Sequence, residues 1–414
     1  MSSEGTSSSA TDPLSVLPTE LVLHICSFLP PEDLLTTGQL SRRWRSLTRD
    51  PQVWRHVNLY LLYNFPPRTI PVFAGRRKTS LFSPVPIRVL RAAPFVKTLR
   101  LDACIGKEQE QALMETAATV ARIKIDSTSF TKWSIVLKVV NKFAVSLESL
   151  SLQCVSRDML RFLAEEPFPR LQTLKLGLDY KYERAGPSDW TYQDRGPGAS
   201  TLTKLVCEGL DEQHVYAVSS LLSRHRHTLR EVLIDSLPAS GARDVMQAVA
   251  RCEQLEHAML PPCGAHLSLL AALPALRSLR LKVDACDDES RGKPWLDLLP
   301  PGLQKLSVSF CSYNLESVLA DLKRAAPRLR TLHALSVEWF SPKDAQEAER
   351  VLVPLLPGVQ QTHDFSDAWS AGDENEQLEW SEGDEQWSEG DEQWAEDDED
   401  VEEDDGDANF DALA

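Results

Sequence analysis

The chain has 414 residues, of which 42% are hydrophobic and 25% are charged, a balance typical of a globular protein long enough for two or three folded units. No apolar run approaches the roughly 20 residues that span a bilayer, so a membrane partner is not expected. The net charge of −17 is unevenly distributed along the chain. Of the 61 acidic residues, 23 lie from Asp364 onward, where there is no Lys or Arg. Residues 1–363 contain the other 38 acidic residues and all 44 Lys and Arg. The sequence therefore predicts a mildly basic body with a strongly acidic tail.

Residues 1–11 are polar and lack the basic-then-apolar order of a signal peptide, so they are interpreted as a flexible arm. The eight cysteines are scattered and form no CxxC pair. This usage is typical of reduced thiols and predicts a cytoplasmic or nuclear protein.

The stretch from Leu17 to Trp54 has the start and stop signals of three short helices. Its first apolar residues recur at helical spacing, namely Leu21, Ile25, Phe28 and Leu29. They predict a helix from about Thr19 to Leu29, after which Pro31 suits the first position of a second helix and Ser41 the N-cap of a third. A unit of about forty residues is marginal alone, so it is expected to pack against a partner or the following domain.

The order and spacing of these residues resemble the F-box. The residues that carry the resemblance are Leu17-Pro18, Glu20-Leu21, Ile25, Phe28-Leu29-Pro30, Asp33-Leu34, Ser41, Trp44 and Trp54. The resemblance implies that residues 12–58 bind the Skp-type adaptor of a cullin-based SCF ubiquitin ligase; the alternative is a helical cap that only packs on the next domain. The implied adaptor-binding residues are Leu17, Pro18, Ile25, Phe28, Leu29, Leu34, Leu40 and Trp44. Gly38 departs from the pattern, since Gly weakens a helix by about 1 kcal/mol relative to Ala.

A short strand is expected around Val57 and Leu59, and residues 59–95 are otherwise interpreted as a connector of little periodicity. From Val96 an LxxLxL-like pattern recurs. Its members are Leu99 with Leu101, Ile123 with Ile125, Leu150 with Leu152, Leu174 with Leu176, Leu205 with Cys207, Val232 with Ile234, Ala258 with Leu260, Leu279 with Leu281, Leu306 with Val308, and Leu332 with Leu335 and Val337. The first members are 21 to 31 residues apart, close to the period of the leucine-rich repeat.

Helical patterns lie between these strands, at 135–144, 158–164, 212–223, 242–252 and 315–325. The predicted fold class is α/β, in which a three-helix F-box precedes a leucine-rich-repeat-like solenoid over residues 96–360. A doubly wound sheet is the alternative, which the regular spacing disfavours. No glycine-rich phosphate motif follows a strand, so a nucleotide cofactor is not expected. Nucleic acid is not expected as a partner either.

A last amphipathic helix is predicted from Ala345 to Leu356, where it would cap the end of the solenoid. Residues 361–414 are expected to be disordered, because they are densely acidic and include a tandem WSEGDEQ repeat. The tail is expected to shield the basic body or attract a basic partner. Three serines with Asp three residues later resemble acid-directed kinase sites, namely Ser370, Ser381 and Ser388.

The longest interval, from Leu174 to Leu205, contains the aromatic-rich stretch from Asp179 to Ser200. Insertions of this kind often lie on the binding face of a repeat protein. The candidate substrate-binding residues are Tyr180, Tyr182, Trp190 and Tyr192. The stretch could equally fold back over an imperfect repeat, and both interpretations stay open.

Four metal-ligating residues lie close in sequence, namely Cys252, His257, Cys263 and His266. Their spacing fits no common zinc module, so no metal site is predicted. No nucleophile, base or metal constellation has recognisable spacing, and catalysis is not expected. The combination of modules resembles the F-box/leucine-rich-repeat substrate receptors over residues 12 to about 360, which predicts a non-catalytic receptor that holds a protein substrate for ubiquitination. The alternative is an acidic leucine-rich-repeat protein that binds histones or other basic proteins.

Overall fold

The computed structural model describes residues 17–61, 85–101, 105–125, 133–178, 201–261, 264–284, 296, 299–312, 315–339 and 341–364. The helices among these residues are α1 Thr19–Ser27, α2 Pro31–Thr37, α3 Arg42–Leu47, α4 Val85–Ala92, α5 Lys107–Glu115, α6 Trp133–Phe143, α7 Arg157–Glu165, α8 Val215–Arg224, α9 Ala242–Ala250, α10 Leu315–Leu329 and α11 Pro342–Leu355. Short 3-10 helices cover Pro51–Trp54, Ala239–Gly241 and Gly264–Ala272.

The strands are β1 Asn58–Leu61, β2 Phe95–Leu101, β3 Thr119–Ile125, β4 Ser149–Leu152, β5 Thr173–Gly177, β6 Lys204–Glu208, β7 Glu231–Ile234, β8 His257–Leu260, β9 Ser278–Asp284, β10 Lys305–Ser312, β11 Ala334–Glu338 and β12 Gln360–Asp364. They form one twelve-stranded sheet in which the spatial order is the chain order, and each strand pairs in parallel with the next. A doubly wound sheet reverses its strand order at a switch point, and the described strands have no such reversal.

The three predicted helices of the N-terminal module are confirmed, and Pro31 and Ser41 mark the starts of α2 and α3 as predicted. The Ser41 hydroxyl accepts a hydrogen bond from the Trp44 backbone N–H at 3.2 Å, as expected of the N-cap of α3. Pro31 occupies the first turn of α2. Helix α1 ends at Ser27, two residues earlier than predicted, and a turn continues the chain to Pro30.

The recurring apolar positions lie in register across the sheet. Leu99 on β2 pairs with Ile123 on β3, which pairs with Leu150 on β4, and the same alignment continues to Leu306 on β10. At the last repeat the partner of Leu306 is Leu335 and not Leu332, so this interval is 29 residues. Leu332 holds the place three residues earlier that Val96 holds before Leu99, and both are buried.

These aligned residues face a continuous apolar core, which the helices complete. Val139 of α6, Leu221 of α8 and Leu322 of α10 belong to the same core as the strand leucines. From α4 to α9, each helix contacts the next in chain order, so the helices form a row against one side of the sheet. The strand residues between the buried ones are partly exposed and mostly polar; they form the opposite side, called the polar face below.

The sheet begins before the predicted solenoid. Leu59 of β1 pairs with Leu99, and α4 supplies the fully buried Val89 and Leu90, although both elements include residues of the predicted connector. Helix α4 has only eight residues, too few for a helical period to stand out in the sequence.

The sheet also ends later than predicted. Residues 361–364 were expected in the disordered tail, but they belong to β12, which pairs with β11. Gln361 takes the place that Leu335 holds on β11, and its Nε2 donates to the carbonyls of Leu352 and Leu356 at 3.3 Å each. The glutamine amide thus adds a second donor to two carbonyls at the end of α11, which also accept from the backbone N–H groups of Leu356 and Val359.

Candidate docking surface of the helical module

Helix α1 directs a row of large apolar side chains into solvent. Leu21, Ile25 and Phe28 are 51%, 45% and 74% exposed, and their spacing places them on one side of the helix. The His24 ring packs edge-on against Phe28, with centroids 4.9 Å apart. A large part of each of these apolar side chains is left in contact with water, so this stripe is suited to contact with another protein.

The opposite side of α1 packs on the core of the module. Val22 and Cys26 are buried there, and burial raises the pKa of the Cys26 thiol, so it stays protonated. Leu34 of α2 is fully buried in the same core. The structure therefore corrects the expectation that Leu34 lines the docking surface, because a buried side chain supports that surface from beneath.

The other predicted adaptor-binding residues lie at or near the surface. Pro18 is exposed, and Leu40, in the turn after α2, is 70% exposed. Leu17, Leu29 and Trp44 are half-buried and pack against the core. Each of these three therefore has a structural contact within the chain and also an accessible part that a partner could reach.

Gly38 has a steric role that sequence alone did not indicate. A Cβ atom at this position would lie 2.7 Å from the Thr48 Oγ1, closer than real Cβ contacts allow. The Thr48 hydroxyl is held in place because it donates to the Trp44 carbonyl at 2.9 Å. The Thr48 carbonyl in turn accepts a hydrogen bond from the buried Trp54 Nε1 at 2.5 Å. The glycine thus permits the close approach of α2 to the end of α3.

We expect Gly38→Ala to destabilise the chain by about 1–3 kcal/mol through overpacking, although Ala is normally the better helix former by about 1 kcal/mol. In a Thr48→Ala background the same substitution should cost much less, since the clashing group is absent. A Thr48→Val background keeps an atom in that place and should retain the full cost. Urea unfolding of the variants measures the coupling, and strict additivity with Thr48→Ala would contradict this steric role.

The segment after α2 concentrates positive charge on the module. Five arginines between residues 42 and 55 have exposed side chains, namely Arg42, Arg43, Arg45, Arg49 and Arg55. None of these five arginines forms an ion pair with another described residue. Asp50 is the one acidic residue in the segment. A partner that covers this segment needs acidic groups to match it.

The module is joined to the sheet through one core. Val53 and Trp54 of the 3-10 helix belong to the same buried cluster as Leu59 of β1 and Val89 of α4. Helix α2 contacts α4, and the 3-10 helix contacts both α1 and β2. The inner side of the module packs on the sheet, while the outer side of α1 stays exposed. Packing on the next domain, which was the alternative, therefore does not exclude docking on a partner.

The predicted substrate-binding and phosphorylation sites are not among the residues that the structure describes. Tyr180, Tyr182, Trp190 and Tyr192 lie outside the described residues, as do Ser370, Ser381 and Ser388.

Of the four metal-ligating residues, Cys252 is fully buried, and its pKa is raised to about 12 by burial. His257 is exposed on β8, and Cys263 lies outside the described residues. In the part of the chain that the structure describes, no three metal-ligating side chains gather at one place. Nor is any helix in that part long and apolar enough to cross a bilayer.

Comparison with known proteins points to the same module. Residues 14–60, which contain α1 to α3 and most of β1, match the family model described as F-box-like. A Bos taurus protein named F-box only protein 4 is 43% identical over 53 residues, which are 13% of this chain and 13% of that relative. The chain thus matches much less than two thirds of the relative's length, and the aligned stretch is about the size of the helical module.

Proposed function

The chain carries an F-box-like domain, and from this we propose that it docks on a Skp-type adaptor of a cullin-based SCF ubiquitin ligase as a non-catalytic substrate receptor. The observation that carries the proposal is the exposed stripe of Leu21, Ile25 and Phe28 within the matched region. Fully burying a large apolar side chain from water contributes about 1.5–3 kcal/mol. Phe28 would gain most of this on contact, and the half-covered Leu21 and Ile25 would gain a smaller part. The arginine-rich segment of residues 42–55 would add electrostatic complementarity to an acidic adaptor surface.

The sheet is proposed to hold the substrate as a leucine-rich-repeat-like solenoid. Support comes from twelve parallel strands in chain order and from apolar positions that recur in register. The stretch from Asp179 to Ser200 joins β5 to β6, and its Tyr180, Tyr182, Trp190 and Tyr192 are proposed substrate contacts. The acidic tail is proposed to act electrostatically, and phosphate on Ser370, Ser381 or Ser388 would add to its charge. The cytosol or nucleus is the proposed location.

Purified full-length chain mixed with purified Skp-type adaptor and cullin tests the proposal directly. We expect the three proteins to co-elute as a complex in size-exclusion chromatography. If neither component co-elutes with the chain, the receptor proposal fails.

The acidic run after Asp364 favours a second candidate, in which the chain binds histones or other basic proteins. The same chromatography with core histones tests it. Co-elution of histones without adaptor would select that function, and such a complex should weaken with salt because the attraction is screened beyond a Debye length of about 8 Å at physiological ionic strength.

A further inference from the structure

An apolar strip lies in the middle of the polar face. It is formed by Val206 on β6, Leu233 on β7 and Met259 on β8, which are direct partners in register. All three side chains are partly exposed, and none belongs to the apolar residues that pack against the core. With neighbouring strands about 4.8 Å apart, the strip spans about 10 Å across three strands.

The strip stands out against the rest of its row. The twelve residues at this level of the sheet are, from β1 to β12, Tyr60, Arg100, Lys124, Ser151, Lys175, Val206, Leu233, Met259, Arg280, Ser307, Ser336 and Thr362. Aliphatic side chains occur there on three consecutive strands and nowhere else among these twelve. A small apolar centre within a polar rim is the arrangement of a protein-binding surface.

Charges beside the strip are mostly paired. The Lys175 Nζ lies 3.0 Å from the Glu208 Oε1, and the Lys204 Nζ lies 3.2 Å from the Glu231 Oε1. Each of these pairs places both charges at the border of the strip, where they compensate one another. These two ion pairs therefore do not favour a charged group on the partner at those positions.

Asp235 differs from these paired residues because its carboxylate has no cationic partner among the described residues. It follows Leu233 by two residues at the end of β7, and none of the ion pairs of the described residues includes it. Its Oδ1 accepts a hydrogen bond from the Gly209 N–H at 2.9 Å, which fixes the carboxylate beside the strip. Gly209 has φ of 70°, a left-handed conformation that glycine adopts without strain. A fixed, partly exposed carboxylate without a cation favours a positive group on whatever covers the strip.

We propose that this strip binds an extended segment of a partner protein that carries an apolar residue and a Lys or Arg separated by one residue. The spacing follows from two observations. Asp235 comes two residues after Leu233, directly beyond the end of β7, and side chains two residues apart on an extended partner segment lie on the same side about 6.6–7 Å apart. The apolar side chain covers the strip, and the cation reaches the Asp235 carboxylate. The inference rests on the proposed function only in taking the bound segment to be part of the substrate.

A random 12-residue peptide library displayed on phage, selected on the full-length chain, tests this. We expect enrichment of peptides with an apolar and a basic residue one position apart. A fluorescein-labelled enriched peptide should bind Leu233→Lys and Met259→Lys about 30-fold more weakly than the unmodified chain, as for the loss of an interface hot spot. Asp235→Asn keeps the acceptor for Gly209 but removes the charge, and should weaken binding about threefold and reduce its salt dependence.

Ser336→Lys is the matched control, since Ser336 lies in the same row on β11. It should bind the peptide within about twofold of the unmodified chain, a difference far below a hot-spot loss. The proposal is overturned if no such pattern is enriched, if Leu233→Lys and Met259→Lys bind as before while circular dichroism shows them folded, or if Ser336→Lys loses binding equally. Adaptor co-elution of the same preparations is scored separately, so loss of peptide binding with the adaptor complex intact contradicts this inference alone.

Discussion

Phe28→Asp is expected to weaken capture of the Skp-type adaptor by about 100-fold, in the range of an interface hot spot. The side chain is 74% exposed at the C-cap of α1, so it loses little contact within the chain when it is replaced. A carboxylate at the centre of an apolar interface would have to lose its hydration without a partner, which adds to the loss of apolar contact. Ile25→Asp, on the same side of α1, should act in the same direction. Isothermal titration of the full-length variants with purified adaptor measures both effects.

The control for this experiment is Val145→Asp. Val145 is 72% exposed and follows α6, well outside the helical module, so the same chemical change is made at a similarly exposed apolar site. It should leave the affinity unchanged, and all three variants should melt close to the unmodified chain. Equal loss of affinity in Val145→Asp, or full affinity in Phe28→Asp and Ile25→Asp, would show that the exposed stripe is not the docking surface.

Leu34→Ala should act through stability instead. Leu34 is fully buried in the core that also holds Val22 and Cys26, and truncating a buried leucine typically costs about 2–5 kcal/mol. We expect a clear shift of the urea midpoint, with adaptor affinity per folded molecule unchanged. Leu40→Ala is the matched control, because Leu40 is 70% exposed and its truncation should change stability by no more than about 0.5 kcal/mol. If Leu34→Ala remains stable but loses the adaptor, Leu34 must become accessible and contact the adaptor directly.

Together these variants address what the sequence could and could not predict about α1. The spacing of Leu21, Ile25 and Phe28 correctly indicates a helix, and the resemblance selects two of them as docking residues. Spacing alone does not say which side of a helix faces inward, because Val22 and Cys26 recur four residues apart just as well. The inward side is decided by the residues that α1 meets in space, among them those of the 3-10 helix Pro51–Trp54.

Most of the sheet was predictable from the recurring apolar residues, and β1 from Val57 and Leu59, but the last strand was not. Positions such as Leu99 and Leu150 lie in one buried ladder, as their regular spacing suggested. Strand β12 has the sequence QQTHD, which has no aliphatic residue and so gives no strand signal. Backbone pairing with β11 and the Gln361 amide at the end of α11 place it, and both are tertiary contacts. The steric need for Gly38 likewise depends on Thr48, ten residues away.

The core shared by the helical module and the sheet fixes the distance between α1 and the apolar strip, in addition to stabilising the chain. Because Trp54, Leu59 and Val89 lie in one buried cluster, no hinge of polar linker separates α1 from the first strands among the described residues. The strip on β6 to β8 lies five to seven strands from β1, which is about 24–34 Å measured along the sheet. The number of strands therefore sets how far a bound segment lies from the adaptor. Inserting or removing one strand-and-helix unit would lengthen or shorten this distance by about 4.8 Å.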